Sequence, residues 1–320
     1  MSRPDPVRPI VAILGPTATG KSALALALAR RIDGEIVSCD STAVYRGFDI
    51  GTDKVPVGER GGVPHHLVDL VEPTGLYTAA RYAQDASCVI REIAARGRVP
   101  IVTGGTGFYY RALTRGLFPG PGRDVGLRGR LERIASRRGR GFLHRMVARV
   151  DPISARRIQP NDTKRLVRAL EVFFLTGRPL TEHFARTESP LAGAEVTAFA
   201  LTLDAGELVA RITRRVDRQF EAGLLDEIRG LLARGVPATA PPFGGLVYRQ
   251  ALEHLQGLRD EASTRALIVQ ENRRYAKRQL IWFRKESKLR WLHGPGERDA
   301  VIEAVSRAVA ARELEVAGDR

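Results

Sequence analysis

The segment Gly15-Pro16-Thr17-Ala18-Thr19-Gly20-Lys21-Ser22 constrains this chain more than any other stretch. It fits G-x-x-x-x-G-K-[ST], a loop whose glycines let successive backbone N–H groups curl around phosphate oxygens at the start of a helix. In such a loop Lys21 sets a cation against the phosphates, and the Ser22 hydroxyl can hold Mg²⁺. The flanks agree. Residues 10–14 are an apolar run that reads as a buried strand, and the Ala- and Leu-rich residues 22–32 read as a helix. A strand–loop–helix unit of this kind points to a parallel sheet covered by helices.

The alternation continues downstream. Residues 35–39 form a second predicted strand ending at Asp40. Residues 78–96 form a helix with Tyr82, Ala86, Val89, Ile90 and Ile93 on one stripe, closed by Gly97. A third strand, 99–102, runs into Thr103-Gly104-Gly105-Thr106-Gly107. After about Leu117 no strand is expected until about Val196. Helices are predicted at 124–138, 141–150 and 162–176, and the stretch as a whole carries Arg123, Arg128, Arg130, Arg133, Arg137, Arg138, Arg140, Arg145 and Arg149. The sheet resumes at 198–203. One long helix then spans Leu208, Ile212, Val216, Phe220, Leu224, Ile228 and Leu231, with Gly235 as its stop. A loop at 237–245 and a basic helix at 263–285 follow. The expected fold class is α/β: a P-loop NTPase-like core (1–117 and 196–320) with a parallel sheet covered by helices, plus an inserted all-helical subdomain (118–195).

Charge narrows the class of partner. The net charge is +15, and only six of the 51 basic residues are Lys. A GC-rich genome accounts for part of the preference for Arg, but not for the excess of positive over negative charge. A fold gains nothing from such self-repulsion, whereas binding a polyanion does. Hydrophobic residues at 43% place the chain in the soluble globular range, and no run approaches the roughly 18 apolar residues of a spanning helix. Residues 1–9 lack the apolar stretch of a signal peptide. A cytoplasmic protein with no membrane association is expected. Cys39 and Cys88 match no metal or CxxC spacing, so neither a zinc site nor a disulfide is expected.

Triphosphate chemistry on a P-loop needs an acidic residue after a hydrophobic strand. The third strand ends in Thr-Gly-Gly-Thr instead, and His66-Leu67-Val68-Asp69 is only a partial substitute. A site that clamps a diphosphate without hydrolysing a triphosphate stays open. Asp40, at the strand edge where α/β sheets bind ligands, is either a general base or a turn and capping residue ahead of Ser41 and Thr42. Arg215, beside the apolar stripe of the long helix, either reaches a phosphate or flanks the core with its charge in solvent. Arg273, Arg274, Lys277, Arg278, Arg284 and Lys285, interleaved with Tyr275, Trp282 and Phe283, are either a nucleic-acid surface or a solvated basic face.

Seven stretches taken in order resemble the bacterial tRNA dimethylallyltransferase (tRNA isopentenyltransferase) family. They are GPTATGKS from Gly15, DSTAVYRGFDIGT from Asp40, VPHHLVD from Val63, GGTGFYYRAL from Gly104, DPISARRIQPNDTKRLVRALEVFFLTG from Asp151, RRVDRQFEAGLLDEI from Arg214 and KRQLIWFRK from Lys277. The resemblance implies an enzyme that moves a dimethylallyl group from dimethylallyl diphosphate to the exocyclic N6 amine of adenosine 37, next to the tRNA anticodon, with Mg²⁺ and as a monomer. The adenine would be flipped into a channel. Asp40 would take the amine proton, and Thr17 and Arg215 would attend the diphosphate. Contacts to the anticodon stem-loop are implied for Asp40, Ser41, Thr42, Ala43, Thr106, Arg128, Lys164, Arg165 and Arg168. They are implied also for Gly244, Gly245, Leu246, Val247, Tyr248, Arg249, Lys277, Arg278, Gln279, Trp282 and Arg284. Three places depart from the family pattern: Val247 where Gly precedes the Tyr, Ile281 where Thr precedes Trp282, and the bare Gly244-Gly245. A free-nucleotide prenyltransferase, a kinase of similar core and a basic RNA-binding module are the competing readings.

Overall fold

The computed structural model describes residues 9–118 and 120–318, so the Pro- and Arg-rich start at residues 1–8 lies outside them. The chain enters through β1 (Ile10–Leu14), buried along its whole length, and the phosphate loop leads to α1 (Lys21–Ile32). Next come β2 (Gly34–Ser38), the two-residue β3 (His65–His66) and α2 (Ala79–Ala95). Helix α2 is started by Thr78, whose side chain accepts the Arg81 N–H. Strand β4 (Val99–Gly104) then passes directly into α3 (Gly107–Arg115), a helix the sequence reading did not anticipate.

Residues Thr114–Ala192 form a separate compact unit, against the 118–195 expected. It contains α4 (Val125–Arg138), α5 (Arg140–Val150), α6 (Pro152–Arg157), α7 (Thr163–Thr176) and α8 (Leu180–Ala185). Short α6 and α8 were not foreseen, and both depend on Asp151. Its carboxylate caps α6 at Ser154 N and also accepts Thr181 N and Thr181 Oγ1. Leu131, Leu143, Val147, Leu166, Val167 and Leu170 make the unit's core.

The other unit resumes at Gly193. It contains β5 (Val196–Thr202), α9 (Ala205–Glu221), α10 (Leu224–Ala233), α11 (Tyr248–Leu255), α12 (Glu261–Phe283), β6 (Leu289–His293) and α13 (Asp299–Gly318). The single long helix expected over 208–231 is therefore two helices, broken at Gly223 with φ 91°. Val216 and Phe220 before the break and Leu224, Ile228 and Leu231 after it line one core cluster, which is why the apolar period ran on unbroken through the turn. Strand β6, α11 and α13 were also missed.

All six strands are parallel, in the order β3-β2-β4-β1-β5-β6. On one side Val11, Ile13, Phe199 and Leu201 pack with Leu24 and Leu28 of α1 and Val301, Ile302, Val305 and Val309 of α13. This arrangement sets β1 in the middle of the sheet and delivers the phosphate loop to the carboxyl edge, where open α/β sheets take ligands. Among the described residues no helix is long and apolar enough to cross a membrane.

Candidate active site

A cavity of about 660 Å³ opens at that edge, lined by Thr17, Ala18, Gly20, Lys21 and Ser22 of the phosphate loop and by Asp40, Asp53, Arg215 and Gln279. The loop is tied from within. Thr19 is fully buried, and its hydroxyl donates to the Pro16 carbonyl at 2.9 Å, where Lys21 Nζ also donates at 2.6 Å. Burial, helped by the neighbouring Arg215 charge, lowers the Lys21 pKa to about 8, while Asp40 and Asp53 pull it upward. An ammonium held on a carbonyl in this way is short of anionic partners, so a phosphate ligand satisfies it.

Asp40 follows the carboxyl end of β2. Its Oδ1 accepts Thr42 N at 2.8 Å, Thr42 Oγ1 at 2.6 Å and Ala43 N at 3.4 Å. The turn and capping reading of this residue is thus met by one oxygen alone. Oδ1 closes the turn, while Oδ2 accepts no hydrogen bond from the described residues and the side chain lines the cavity. The Thr103–Gly107 loop buttresses the turn: Thr106 N donates to Cys39 O at 3.2 Å, and Thr106 Oγ1 accepts Ser41 N at 3.1 Å. Thr106 thus supports the carboxylate whatever else it touches. Asp69, the partial substitute acid, is engaged by Lys54 and does not line the cavity.

Arg215 is not a flanking residue. Its side chain is 11% exposed, with Nη1 donating to Thr17 Oγ1 at 2.6 Å and Nη2 to Asn272 Oδ1 at 2.8 Å. Its Nε is buried without a hydrogen-bond partner among the described residues. Burial lowers its pKa, opposed by Asp53 and Asp40, yet a guanidinium remains charged. Asn272 is fixed in turn by Ile268 O at 2.9 Å. Gln279 receives Thr17 N on Oε1 at 2.9 Å and donates from Nε2 to Gly105 O at 2.9 Å. The sequence carried no signal for Asn272, and it assigned Gln279 to nucleic-acid contact. Both lie along the buried face of α12, and the fold turns that face to the phosphate loop.

The IPP transferase family model matches residues 43–286. This chain belongs to the IPP transferase family. The chain is 48% identical over 305 residues to the tRNA dimethylallyltransferase of Solibacter usitatus, covering 94% of this chain and 98% of that one. It is equally identical, over 302 residues, to that of Anaeromyxobacter dehalogenans, covering 94% and 96%. Among solved structures, a tRNA isopentenylpyrophosphate transferase of Bacillus halodurans aligns with TM-score 0.72 at 35% identity, covering 97% of this chain and 98% of that one. A eukaryotic dimethylallyltransferase acting on tRNA aligns with TM-score 0.80 at 25% identity, covering 97% and 80%.

The remaining positions assigned to tRNA contact in this IPP transferase divide by exposure. Lys164, Arg165, Arg249, Lys277, Arg278, Arg284 and Gly244 are exposed, whereas Ser41, Thr42, Gly245, Leu246 and Trp282 are half-buried. Trp282 lies under Arg111, whose Cζ is 4.5 Å from the ring. Four of the assigned positions are buried. Gln279 is 6% exposed and committed to the phosphate loop, and Ala43 is 7% exposed in the wall of the cavity. Tyr248 is 1% exposed, donating to Glu227 at 2.6 Å, accepting Gly51 N at 3.0 Å and packing edge-on against Phe48. Val247 is 3% exposed at φ 72°, ψ −62°. This left-handed backbone costs a β-branched residue roughly 1–3 kcal/mol. Its departure from Gly is thus felt in the backbone entering α11, since the side chain has no outer surface to offer.

Arg128 and Arg168 keep only exposed edges. Both hold Glu171, which is fully buried: Arg128 with two bonds at 2.7 and 2.8 Å and Arg168 with one at 2.6 Å. Against burial, which raises it, the two guanidiniums bring the Glu171 pKa down to about 2. Arg128 thereby ties α4 to α7, while Arg168, on α7 itself, also donates to the Pro121 carbonyl at 3.1 Å.

A magnesium ion fits the donor set at the phosphate loop. Ser22 offers a hydroxyl, and Asp53 offers a carboxylate on the same cavity. Hard oxygen ligands in small number suit an ion that keeps several waters and binds chiefly through phosphate oxygens.

Proposed function

We propose that this protein transfers a dimethylallyl group from dimethylallyl diphosphate to the N6 amine of adenosine 37 in tRNA, releasing diphosphate. The observation that carries this reading is one cavity bearing both Asp40 and the Lys21–Thr17–Arg215 cluster. A carboxylate with an uncommitted oxygen faces a cationic phosphate cradle, and that is what alkylation by an allylic diphosphate requires. The N6 nitrogen forms a bond to the allylic carbon as the carbon–oxygen bond to diphosphate breaks. The amine proton passes to Asp40 Oδ2, and the charge on the departing diphosphate is met by the loop N–H groups, Lys21 and Arg215. Bound magnesium, held by Ser22, supplies further neutralisation of the diphosphate. The enzyme acts as a monomer in the cytoplasm, where tRNA is found, and the exposed cations on α7 and α12 take the anticodon stem-loop. The test is incubation with dimethylallyl diphosphate, Mg²⁺ and unmodified tRNA, followed by mass spectrometry of the nucleosides. Prenylated adenosine at position 37, with free adenosine nucleotides left unreacted, is the expected product. Prenylation of the free nucleotide, or robust ATP turnover stimulated by tRNA, would replace this reading with one of its competitors.

Two further results follow from single residues. Lys21 must carry its proton to bind the donor, and that proton leaves as pH rises through about 8. The kcat/KM for dimethylallyl diphosphate is therefore expected to be level below that pH and to fall up to about tenfold per unit above it. In Lys21→Arg the fall moves beyond the measurable range. A wild-type profile still flat two units higher removes Lys21 from the donor site. Arg165 is 74% exposed and makes a surface pair with Asp162 at 3.2 Å. Arg165→Ala should weaken tRNA binding and reduce the slope of log K against log salt by about one unit. Filter binding across a salt series reads this directly, and an unaltered slope excludes the contact.

A further inference from the structure

The phosphate loop is also held from its outer side, by residues that no sequence motif marked. Ala18 takes a left-handed backbone, φ 62°, and its carbonyl accepts Arg211 Nε at 2.7 Å. Arg211 Nη1 is in turn paired with Glu297 Oε1 at 2.5 Å. Glu297 belongs to the turn between β6 and α13, beyond the residues that the family model matches. The same turn donates Gly296 N to Thr19 O at 2.9 Å. It approaches so closely that a Cβ on Gly20 would stand 2.2 Å from Glu297 Oε2 and 2.7 Å from Gly296 N. Gly20 is therefore required by this turn as well as by its own φ of 84°.

These contacts complete a pattern. Three carbonyls of the loop are tied down: Pro16 by Lys21 and Thr19, Ala18 by Arg211, and Thr19 by the N–H of Gly296. A trans peptide is planar, with its carbonyl and the following N–H pointing in opposite directions. Fixing the Ala18 and Thr19 carbonyls therefore fixes the planes that carry the next amides, and hence the curvature of a phosphate-binding nest. Left-handed geometry at a non-glycine residue persists only when its surroundings enforce it. Here a guanidinium enforces it, and a carboxylate orients the guanidinium. Burial raises the Glu297 pKa, but the hydrogen bond from Arg211 prevails and holds it below the usual range.

We infer that Glu297, acting through Arg211, is a positioning residue that sets the affinity of the phosphate loop for the diphosphate of the donor. This rests on the phosphate-loop reading above and adds to it a second, outer support supplied by the C-terminal segment. The Glu297 side chain is 45% exposed, so its loss leaves no cavity and no buried charge without solvent.

The test measures steady-state prenylation and equilibrium binding of inorganic diphosphate in Glu297→Ala, Glu297→Gln, Arg211→Ala, the Arg211→Ala/Glu297→Ala double variant and Lys21→Ala. Glu297→Ala is expected to raise the donor KM and the diphosphate Kd about tenfold, with kcat within about twofold. Its tRNA affinity and melting temperature should stay at the wild-type values. Glu297→Gln, which keeps an acceptor for Arg211, should recover part of the affinity. The double variant should bind no more weakly than Arg211→Ala alone, since the two side chains act in series. If donor KM stays within twofold of wild type while Lys21→Ala weakens binding, the outer brace is refuted and the phosphate loop stands. Multiplying effects in the double variant refute it equally. If Lys21→Ala also binds diphosphate normally, the phosphate-loop reading itself has failed.

Discussion

Asp40→Asn is expected to lower kcat for prenyl transfer by about 10²–10⁴-fold, the range a positioned general base contributes. Binding of tRNA and of diphosphate should change little. Asparagine is the informative substitution because Oδ1 has structural work to do: it accepts Thr42 N, Thr42 Oγ1 and Ala43 N. An amide oxygen can keep those bonds, whereas alanine would open the turn and confound a chemical loss with a structural one. The amide removes only the proton-accepting capacity of the second oxygen. Single-turnover kinetics with preformed enzyme–tRNA complex isolate the chemical step, and near-normal turnover would exclude Asp40 as the base. If Asp40→Ala loses tRNA affinity while Asp40→Asn keeps it, the two oxygens are shown to do separate jobs.

That division of labour explains how far the sequence could be read. Phosphate loop, β1 and α1 were legible because their signals are local: glycines at fixed offsets, an apolar run before them and an Ala- and Leu-rich stretch after. The same locality misled at Gly223. Leu224, Ile228 and Leu231 return to the core cluster of Val216 and Phe220, so periodicity alone sees one helix where the chain makes two. Strand β6 escaped because it is an edge strand whose residues are exposed or half-buried, leaving no apolar run to read. Asn272 and Gln279 escaped for another reason. Each lies more than fifty residues from its partner at Arg215 or Thr17, and only the packing of α12 against α9 brings them together. Tyr248 is a like case: its packing against Phe48 is long-range and left no local signal in the sequence.

Helix α12 also shows how acceptor and donor are brought into one site. Its buried positions Asn272 and Gln279 hold Arg215 and Thr17, while Lys277, Arg278 and Arg284 remain exposed. One rigid element thus carries exposed cations on one face and ties down the phosphate loop with the other. Tyr275 stands between these faces, half-buried, and its phenol pKa is raised to about 12, by burial first and then by Asp40. A phenol that stays neutral can donate a hydrogen bond near Asp40 without competing for its proton.

Arg215 should rank second in effect. Arg215→Ala is expected to reduce kcat about 10²–10³-fold, the cost of losing a preorganised donor at a site of developing charge. The guanidinium is preorganised by two partners, Thr17 Oγ1 at 2.6 Å and Asn272 Oδ1 at 2.8 Å, and it keeps further N–H donors beyond those two bonds. Arg215→Lys separates charge from geometry. An ammonium restores the cation but cannot bridge Thr17 and Asn272 while presenting a further donor, so most of the loss should persist. Asn272→Ala keeps the charge and removes its guide. It should show a smaller kcat defect, with donor KM little changed, because the affected interaction strengthens as the carbon–oxygen bond breaks. Thermal melts of all three variants separate this from simple unfolding. An Arg215→Lys enzyme with kcat within threefold of wild type would reduce Arg215 to a point charge and move the stabilisation of the departing diphosphate onto Lys21 and the loop amides.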